Sequence, residues 1–372
     1  MVFFDLNFAI WGVEIMSDYT VLFPSYTIGK NAYTKIGDIC SRYGRKIVVI
    51  GGPTALSKAK NKIMAVIKDT QLEIVDYLLF GGEASYENVE RLQSMRAVQS
   101  ADMIFAVGGG KAIDTCKVLA HSIKKPFFTF PTIASNCACL TSLGVVYHPN
   151  GHFRELSFSK VPPIHAFIDT EIAAAAPSNF LWAGMGDTIA KYHEASISAR
   201  GAQLSHSDAI GVTISRMCAE PIYKYGEQAL ADNKASIASD AFTEVVLAIV
   251  VSTGMVSNFV VQDFNGHIAH ALFCTITMLP QIEEKHLHGE VVMYGVLVLL
   301  MCDNQQDELA RAYQFCKSVG LPTKMADIDV TLEEMDRVLV ETEKSQELVQ
   351  SPYKVTKEML HEAIVKLEKY HK

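Results

Sequence analysis

Residues 103–123 read MIFAVGGGKAIDTCKVLAHSI. The apolar run MIFAVGGG (Met103–Gly110) is a buried strand that ends in three glycines. KAIDTCKVLAHSI (Lys111–Ile123) carries a helical pattern. A strand that turns into a helix through glycines brings backbone N–H groups close to whatever sits on the turn. The helix N-terminus adds positive dipole there. The combination suits the pyrophosphate of a dinucleotide. It is neither a GxGxxG fingerprint nor a Walker P-loop, since the four-residue spacer is missing and Ala112 follows Lys111 where Ser or Thr would bind magnesium. A tight strand–helix turn with no ligand has the same sequence signature.

The same alternation continues on both sides. KIVVI (Lys46–Ile50) is a strand closed by Gly51-Gly52-Pro53, and a helix follows over Ala55–Lys68. EIVDYLLF (Glu73–Phe80) is a strand, Ser85–Ser100 an amphipathic helix, and PFFTFPT (Pro126–Thr132) another strand. Pro149-Asn150-Gly151 between two extended runs predicts a hairpin over Gly144–Ser159, and IHAFIDT (Ile164–Thr170) is one more strand. Strands alternating with helices at this spacing predict a parallel sheet covered on both faces. Beyond Ile172 the strand signals fade. Helical periodicity fills Asp187–Ala199, Ser205–Lys224, Ala229–Ser257, Val291–Cys302, Gln306–Val319, Leu332–Glu341 and Thr356–Tyr370. The expected organisation is an α/β, Rossmann-like dinucleotide-binding domain over residues 16–171 and an all-α domain over 172–372. Gly51, Gly52, Pro53 and Thr54 place no carboxylate after the first of these strands, so nothing there repels a 2′-phosphate and either NAD or NADP is allowed.

The chain of 372 residues is long enough for two or three domains. Apolar residues make up 49% and charged residues 20%, which excludes disorder. Lys and Arg number 33 against 41 Asp and Glu, a net charge of -8, which argues against binding nucleic acid or an anionic membrane by bulk charge. The eight cysteines are scattered and form no CxxC pair, as expected of reduced thiols in a cytoplasmic protein without a zinc ribbon. The leading MVFFDLNFAIWGVEI carries Asp5 and Glu14 and lacks a basic n-region, which argues against a signal peptide. Met16 reads as a natural start, leaving residues 1–15 as a start-site artefact or a loose extension. The longest apolar stretches, Val245–Val256 and Val291–Cys302, have the length of core helices.

Two further segments carry chemistry. Gly184-Met185-Gly186-Asp187 opens a helical stretch, where Asp187 is either an N-terminal acid or a ligand. GHIAHAL (Gly266–Leu272) and KHLHGE (Lys285–Glu290) hold His267, His270, His286 and His288, four of twelve histidines. A carboxylate with two neutral imidazoles would hold a divalent metal with one position open, and zinc and ferrous iron both accept such donors. A metal that keeps net positive charge polarises a carbonyl or stabilises an alkoxide.

Taken together, GGGKAIDT (Gly108–Thr115), FPTIASNCACLTSLGVVY (Phe130–Tyr147), AGMGDTIAKYHEA (Ala183–Ala195), AHAL (Ala269–Leu272) and LHGEVVMYG (Leu287–Gly295) resemble the iron-containing, metal-dependent alcohol dehydrogenases, in the glycerol dehydrogenase branch. The resemblance spans most of the chain. It implies a dehydroquinate synthase-like architecture with a metal between the domains, a small-molecule substrate and a homo-oligomer. It places the metal ligands, and through the metal the catalytic function, on Asp187, His270 and His288, with His267 and His286 as neighbours. It places nucleotide contacts on Gly109, Gly110, Lys111, Asp114, Thr132, Ser135, Thr141, Leu143 and Tyr147.

The chain departs from that branch at two positions of the substrate pocket. Where glycerol dehydrogenases carry an aspartate after the PTIAS run, this chain has Cys137. Where they read His-Asn-Gly after the first ligand histidine, it has Phe273-Cys274-Thr275. With LPQ (Leu279–Gln281) and LHG (Leu287–Gly289), the variant is most similar to the hydroxycarboxylate dehydrogenases of the branch. That implies reduction of a small 2-oxo acid with NAD(P)H. The alternatives are a glycerol or polyol dehydrogenase, a polyol-phosphate dehydrogenase, and a dehydroquinate synthase-like lyase. The last two need several basic residues to grip a phosphate, and the segment from His267 to His288 offers only Lys285. No general acid stands out, which leaves a water chain or the ribose hydroxyl to supply the proton.

Overall fold

Short runs rich in β-branched and aromatic residues pair into one parallel sheet whose central strands are buried on both faces. The computed structural model describes residues 20–159 and 161–371, so the extension assigned to residues 1–15 lies outside it. The sheet contains β1 (Ser25–Ile28), β2 (Lys46–Gly51), β3 (Glu73–Leu79), β4 (Met103–Gly108), β5 (Phe127–Pro131) and β8 (His165–Ile168) in the order β1-β8-β5-β4-β2-β3. Every pairing is parallel. The other two strands, β6 (Leu143–Tyr147) and β7 (Phe153–Phe158), form the antiparallel hairpin that Pro149-Asn150-Gly151 predicts.

The period of two decides which helix covers which face. Ile47, Val49, Phe105 and Val107 share one core with Leu56, Ala59, Ile63 and Ile67 of the Pro53–Ile67 helix. Val48, Ile50, Ile104 and Ala106 face the opposite core with Ile113, Cys116 and Leu119 of the Gly110–Ser122 helix. The chain leaves β2 toward β3 on one side and leaves β4 toward β5 on the other. The order therefore reverses between β2 and β4, where open α/β sheets take their ligands. Gly51 and Gly108 end those two strands side by side, with Gly51 paired to Val107.

From Thr170 onward the described elements are helices. The His288–Cys302 helix is buried from Gly289 to Leu300, as a helix that is apolar all round must be. The Ser178–Ser198 and Ile268–Ile276 helices pack against it.

Several predicted elements change in the structure. The SYTI strand β1 was not foreseen; it completes the sheet by pairing along β8. The Ser85–Ser100 helix breaks at Met95, whose ψ of 132° is extended. The span Ser205–Ser257 divides elsewhere, because Ser239 accepts the N–H of Phe242 and starts a new helix. That helix runs Asp240–Phe259, longer than Val245–Val256. With 20 residues and a mean hydropathy of 1.6 it has the length and composition to cross a membrane, and 56% of it is buried inside the protein, as in a core helix.

Candidate active site

Three helices each contribute one donor to a single cluster. Asp187 lies in the middle of the Ser178–Ser198 helix, so it is not an N-cap. His270 is in the first turn of Ile268–Ile276, and His288 opens His288–Cys302. Asp187 Oδ1 is 3.3 Å from Nε2 of His270 and 3.3 Å from Nε2 of His288. One donor atom from each of the three residues lies within 4.8 Å of the others. Glycines beside the three donors permit this approach. A Cβ on Gly186 would run into the carbonyl oxygen of Gly289, and a Cβ on Gly289 would run into that of Ala183.

The electrostatics suit a cation. Burial alone would raise the Asp187 carboxyl, but the imidazoles of His288 and His270 outweigh it and hold the group well below the usual carboxylate range. Burial opposes charge on His270 too, yet Glu194 and Asp187 raise it to about 10 when no metal competes for the ring. Glu194 is fully buried. It accepts the backbone N–H of His267 at 2.8 Å and that of His270 at 2.9 Å, while its other oxygen accepts Nδ1–H of His270. With Nδ1 committed, His270 keeps Nε2 for a metal, the arrangement that fixes a ligating imidazole. One carboxylate and two imidazoles fit zinc or ferrous iron with a position left open.

The other two histidines of the motif face elsewhere. His286 gives its Nδ1 edge to Glu290 at 2.9 Å. His267 is buried edge-on to Tyr353, and neither ring nitrogen has a partner among the described residues. Burial pushes its pKa down to about 4.

Of the two residues expected in the substrate pocket, Phe273 lies against His288 and Cys137 is within electrostatic reach of Asp187. The Phe273 ring meets the His288 ring edge to face, centroids 4.1 Å apart. Burial raises the Cys137 thiol, against the lowering effect of Lys191, and the charge of Asp187 also reaches it.

A single loop joins this cluster to the glycine turn. A Cβ on Gly109 would strike Ile133, one on Gly110 would meet Asn136, and one on Gly184 would press on Ala134 and Ser135. Residues 133–136 thus lie between the turn and the helix that carries Asp187. Thr132 donates its N–H to Gly108 O at 3.2 Å and fixes the start of that loop. Gly108 takes φ = 150°, open to glycine and rarely to other residues.

Lys111 stands at the helix start, its Nζ 2.6 Å from Glu83 and 5.3 Å from the centre of the Tyr147 ring. Asp114 is turned inward: Oδ1 accepts from Lys117 at 2.9 Å and Oδ2 from the Val145 N–H at 3.1 Å. Lys117 also donates to Leu143 O and reaches Thr141 Oγ1 at 3.4 Å. Asp114, Thr141 and Leu143 therefore meet around one buried ammonium that ties the helix to the hairpin. Sequence reasoning missed Lys117 and Glu194; each lies a helical turn or two from a residue it recognised, three from Asp114 and seven from Asp187.

A family profile described as iron-containing alcohol dehydrogenase matches residues 24–170. A glycerol dehydrogenase of Thermotoga maritima is 32% identical over 94% of this chain and 97% of its own length. Hydroxycarboxylate dehydrogenase A of Escherichia coli is 32% identical over 87% of this chain and 90% of its own. The crystal structure of glycerol dehydrogenase from Schizosaccharomyces pombe superposes with a TM-score of 0.83 at 27% identity, covering 95% of this chain and 91% of that one.

Proposed function

The chain belongs to the iron-containing alcohol dehydrogenases, oxidoreductases by family, and on that premise we propose that it is a metal-dependent, NAD(P)H-linked reductase of small 2-oxo acids. What supports this reading is the pair of side chains we assign to the substrate side of Asp187, His270 and His288. It presents a thiol at Cys137, kept neutral by burial, and a phenyl ring at Phe273. A polyol would look for acceptors there, whereas an anionic substrate is not repelled.

A divalent ion held by the three ligands supplies Lewis acidity toward the substrate oxygen, and reduced nicotinamide supplies the hydride. The remaining work belongs to the chain. Glu194 holds the His270 ring in one tautomer and one orientation. The N–H groups after Gly108 and the dipole of the Gly110–Ser122 helix receive pyrophosphate. The loop from Thr132 to Ser135 sets the distance between nucleotide and metal. Phe273 shields one side of the site from water. The net reaction adds a hydride to the carbonyl carbon and a proton to its oxygen, giving a 2-hydroxy acid and the oxidised nucleotide. We assign the working form as a homo-oligomer.

A second reading, polyol oxidation, has support from the glycerol dehydrogenases among the similar proteins. Nicotinamide absorbance separates the two. Purified protein with zinc or manganese is given NADH or NADPH and either 2-oxobutyrate, oxaloacetate and 2-oxoglutarate, or dihydroxyacetone and simple aldehydes. Oxidation with the oxo acids is the expected result. Oxidation with dihydroxyacetone alone would replace the first reading by the second.

A further inference from the structure

The Ser178–Ser198 helix carries Asp187, Lys191 and Glu194 at i, i+4 and i+7, which puts them along one face. The first is a metal ligand and the last orients one. Lys191 has no role in the site so far. Its half-buried ammonium donates to the backbone oxygen of Asn265 and to Asn265 Oδ1, both at 3.1 Å. An ammonium has three N–H groups, and both of these partners are neutral. Among the described residues it makes no ion pair within 4.0 Å. Glu194 and Glu347 feel its charge at longer range, but Glu194 is already committed to His270.

A partly desolvated cation whose hydrogen-bonded partners are both neutral, and whose nearest carboxylates lie beyond 4.0 Å, keeps an N–H available to an anion. It stands one helical turn from Asp187 on the same face and is held at Asn265, five residues before His270, which puts it beside the three donors and within electrostatic reach of Cys137. An aspartate in place of Cys137 would add a negative charge within electrostatic range of this ammonium; the thiol adds none. In a 2-oxo acid the carboxylate is bonded directly to the reacting carbonyl carbon. Its anchor must therefore sit close to the metal ligands, and four residues along a helix are about 6 Å.

We propose that Lys191 is the anchor for the substrate carboxylate, with Cys137 as the neutral wall that leaves its ammonium available. The inference rests on the 2-oxo acid reading and names the residue that selects for it.

The test is calorimetric titration of the zinc- and NADH-loaded protein with oxamate, an unreactive analogue of a 2-oxo acid. It runs beside the kcat/KM ratio for 2-oxobutyrate over dihydroxyacetone. Lys191→Met should weaken oxamate by about ten- to a hundredfold, the worth of one charge-assisted contact, and lower the ratio to match. The increase should fall on the KM for 2-oxobutyrate, and Lys191→Arg should restore part of the loss. Cys137→Asp, which leaves Lys191 in place, should lower oxamate affinity in the same direction and keeps the test open if Lys191→Met does not fold. If the unaltered protein neither binds oxamate nor reduces the oxo acids, the functional reading fails and this inference with it. If it does both, and Lys191→Met or Cys137→Asp binds oxamate as tightly as the parent, Lys191 is not the anchor and the functional reading stands.

Discussion

Glu194 holds His270 at two points, accepting its backbone N–H at 2.9 Å on one oxygen and its ring Nδ1–H on the other. A carboxylate needs a donor, so Nδ1 carries a hydrogen, and a metal that displaces the proton on Nε2 would take the lone pair there, beside Asp187. Glu194→Gln should keep the fold and lower zinc affinity about 10–100-fold, the usual cost of losing such an orienting partner. Competition with a chromophoric chelator reads the change directly, and unaltered affinity would mean that Glu194 serves only the helix start.

Removing a ligand should cost more than loosening one. Asp187→Ala and His270→Ala are expected to abolish turnover and bound metal while the far-ultraviolet dichroism stays that of the parent. Near-full turnover in either variant would sink the metal assignment.

The glycine contact makes a separate prediction. Gly289→Ala places a methyl against Ala183 O and beside Asp187. It should push the two ligand-bearing helices apart, at a cost of about 1–3 kcal/mol in a packed interior. Urea unfolding measures that cost. A metal titration should show weaker binding in the same variant, and unchanged stability together with unchanged metal affinity would show that the crossing has slack.

Asp114 and Lys117 form a buried pair. Asp114→Ala strands the Lys117 ammonium in the core and should destabilise the protein by about 3–5 kcal/mol. Lys117→Met in addition should recover part of that loss. A double variant no more stable than Asp114→Ala would deny that the stranded charge is the cause.

Two buried histidines predict the pH response. His165, bonded to Ser25 and Thr27, and His193 are each lowered by burial from 6.5 to about 4. Between those values the unfolded chain binds protons that the folded chain refuses. Their contribution is therefore complete above about pH 6.5 and lost as the pH falls toward 4, on the order of 2–3 kcal/mol each. His165→Gln, remote from the metal ligands, should flatten the dependence of the urea midpoint between pH 7.5 and 5. An equally steep dependence would assign the acid sensitivity to other groups.

The fold was legible where a segment carries a strong local signal. The short runs at Lys46, Met103 and Phe127 are apolar almost throughout and closed by glycine or proline, as strands covered on both faces are, and the glycines after Val107 mark the sheet's reversal point. SYTI at β1 was not legible, because four half-exposed residues become a strand only by pairing along β8. The break at Met95 carries no proline or glycine to announce it. In the site, the donor residue types at 187, 270 and 288 stood out, and a family resemblance chose among four histidines. Glu194 and Lys117 could not be singled out, since a charge inside a helix reads as a solvated face until tertiary packing buries it. Asp114 was legible as a residue of the turn, but its inward bonds to Lys117 and Val145 depend on a hairpin that follows it in sequence.

The three ligand-bearing helices also set an order of assembly during synthesis. The sheet is complete once β8 leaves the ribosome at Ile168, before Asp187 has emerged. His288 emerges long after Asp187, at the head of the helix around which the C-terminal half packs. Domains fold as units from the N-terminus during translation. The sheet half therefore matures first, and no nascent chain has all three donors of the cluster until most of the second half exists. Metal insertion is in this sense a finishing step performed on a nearly complete protein.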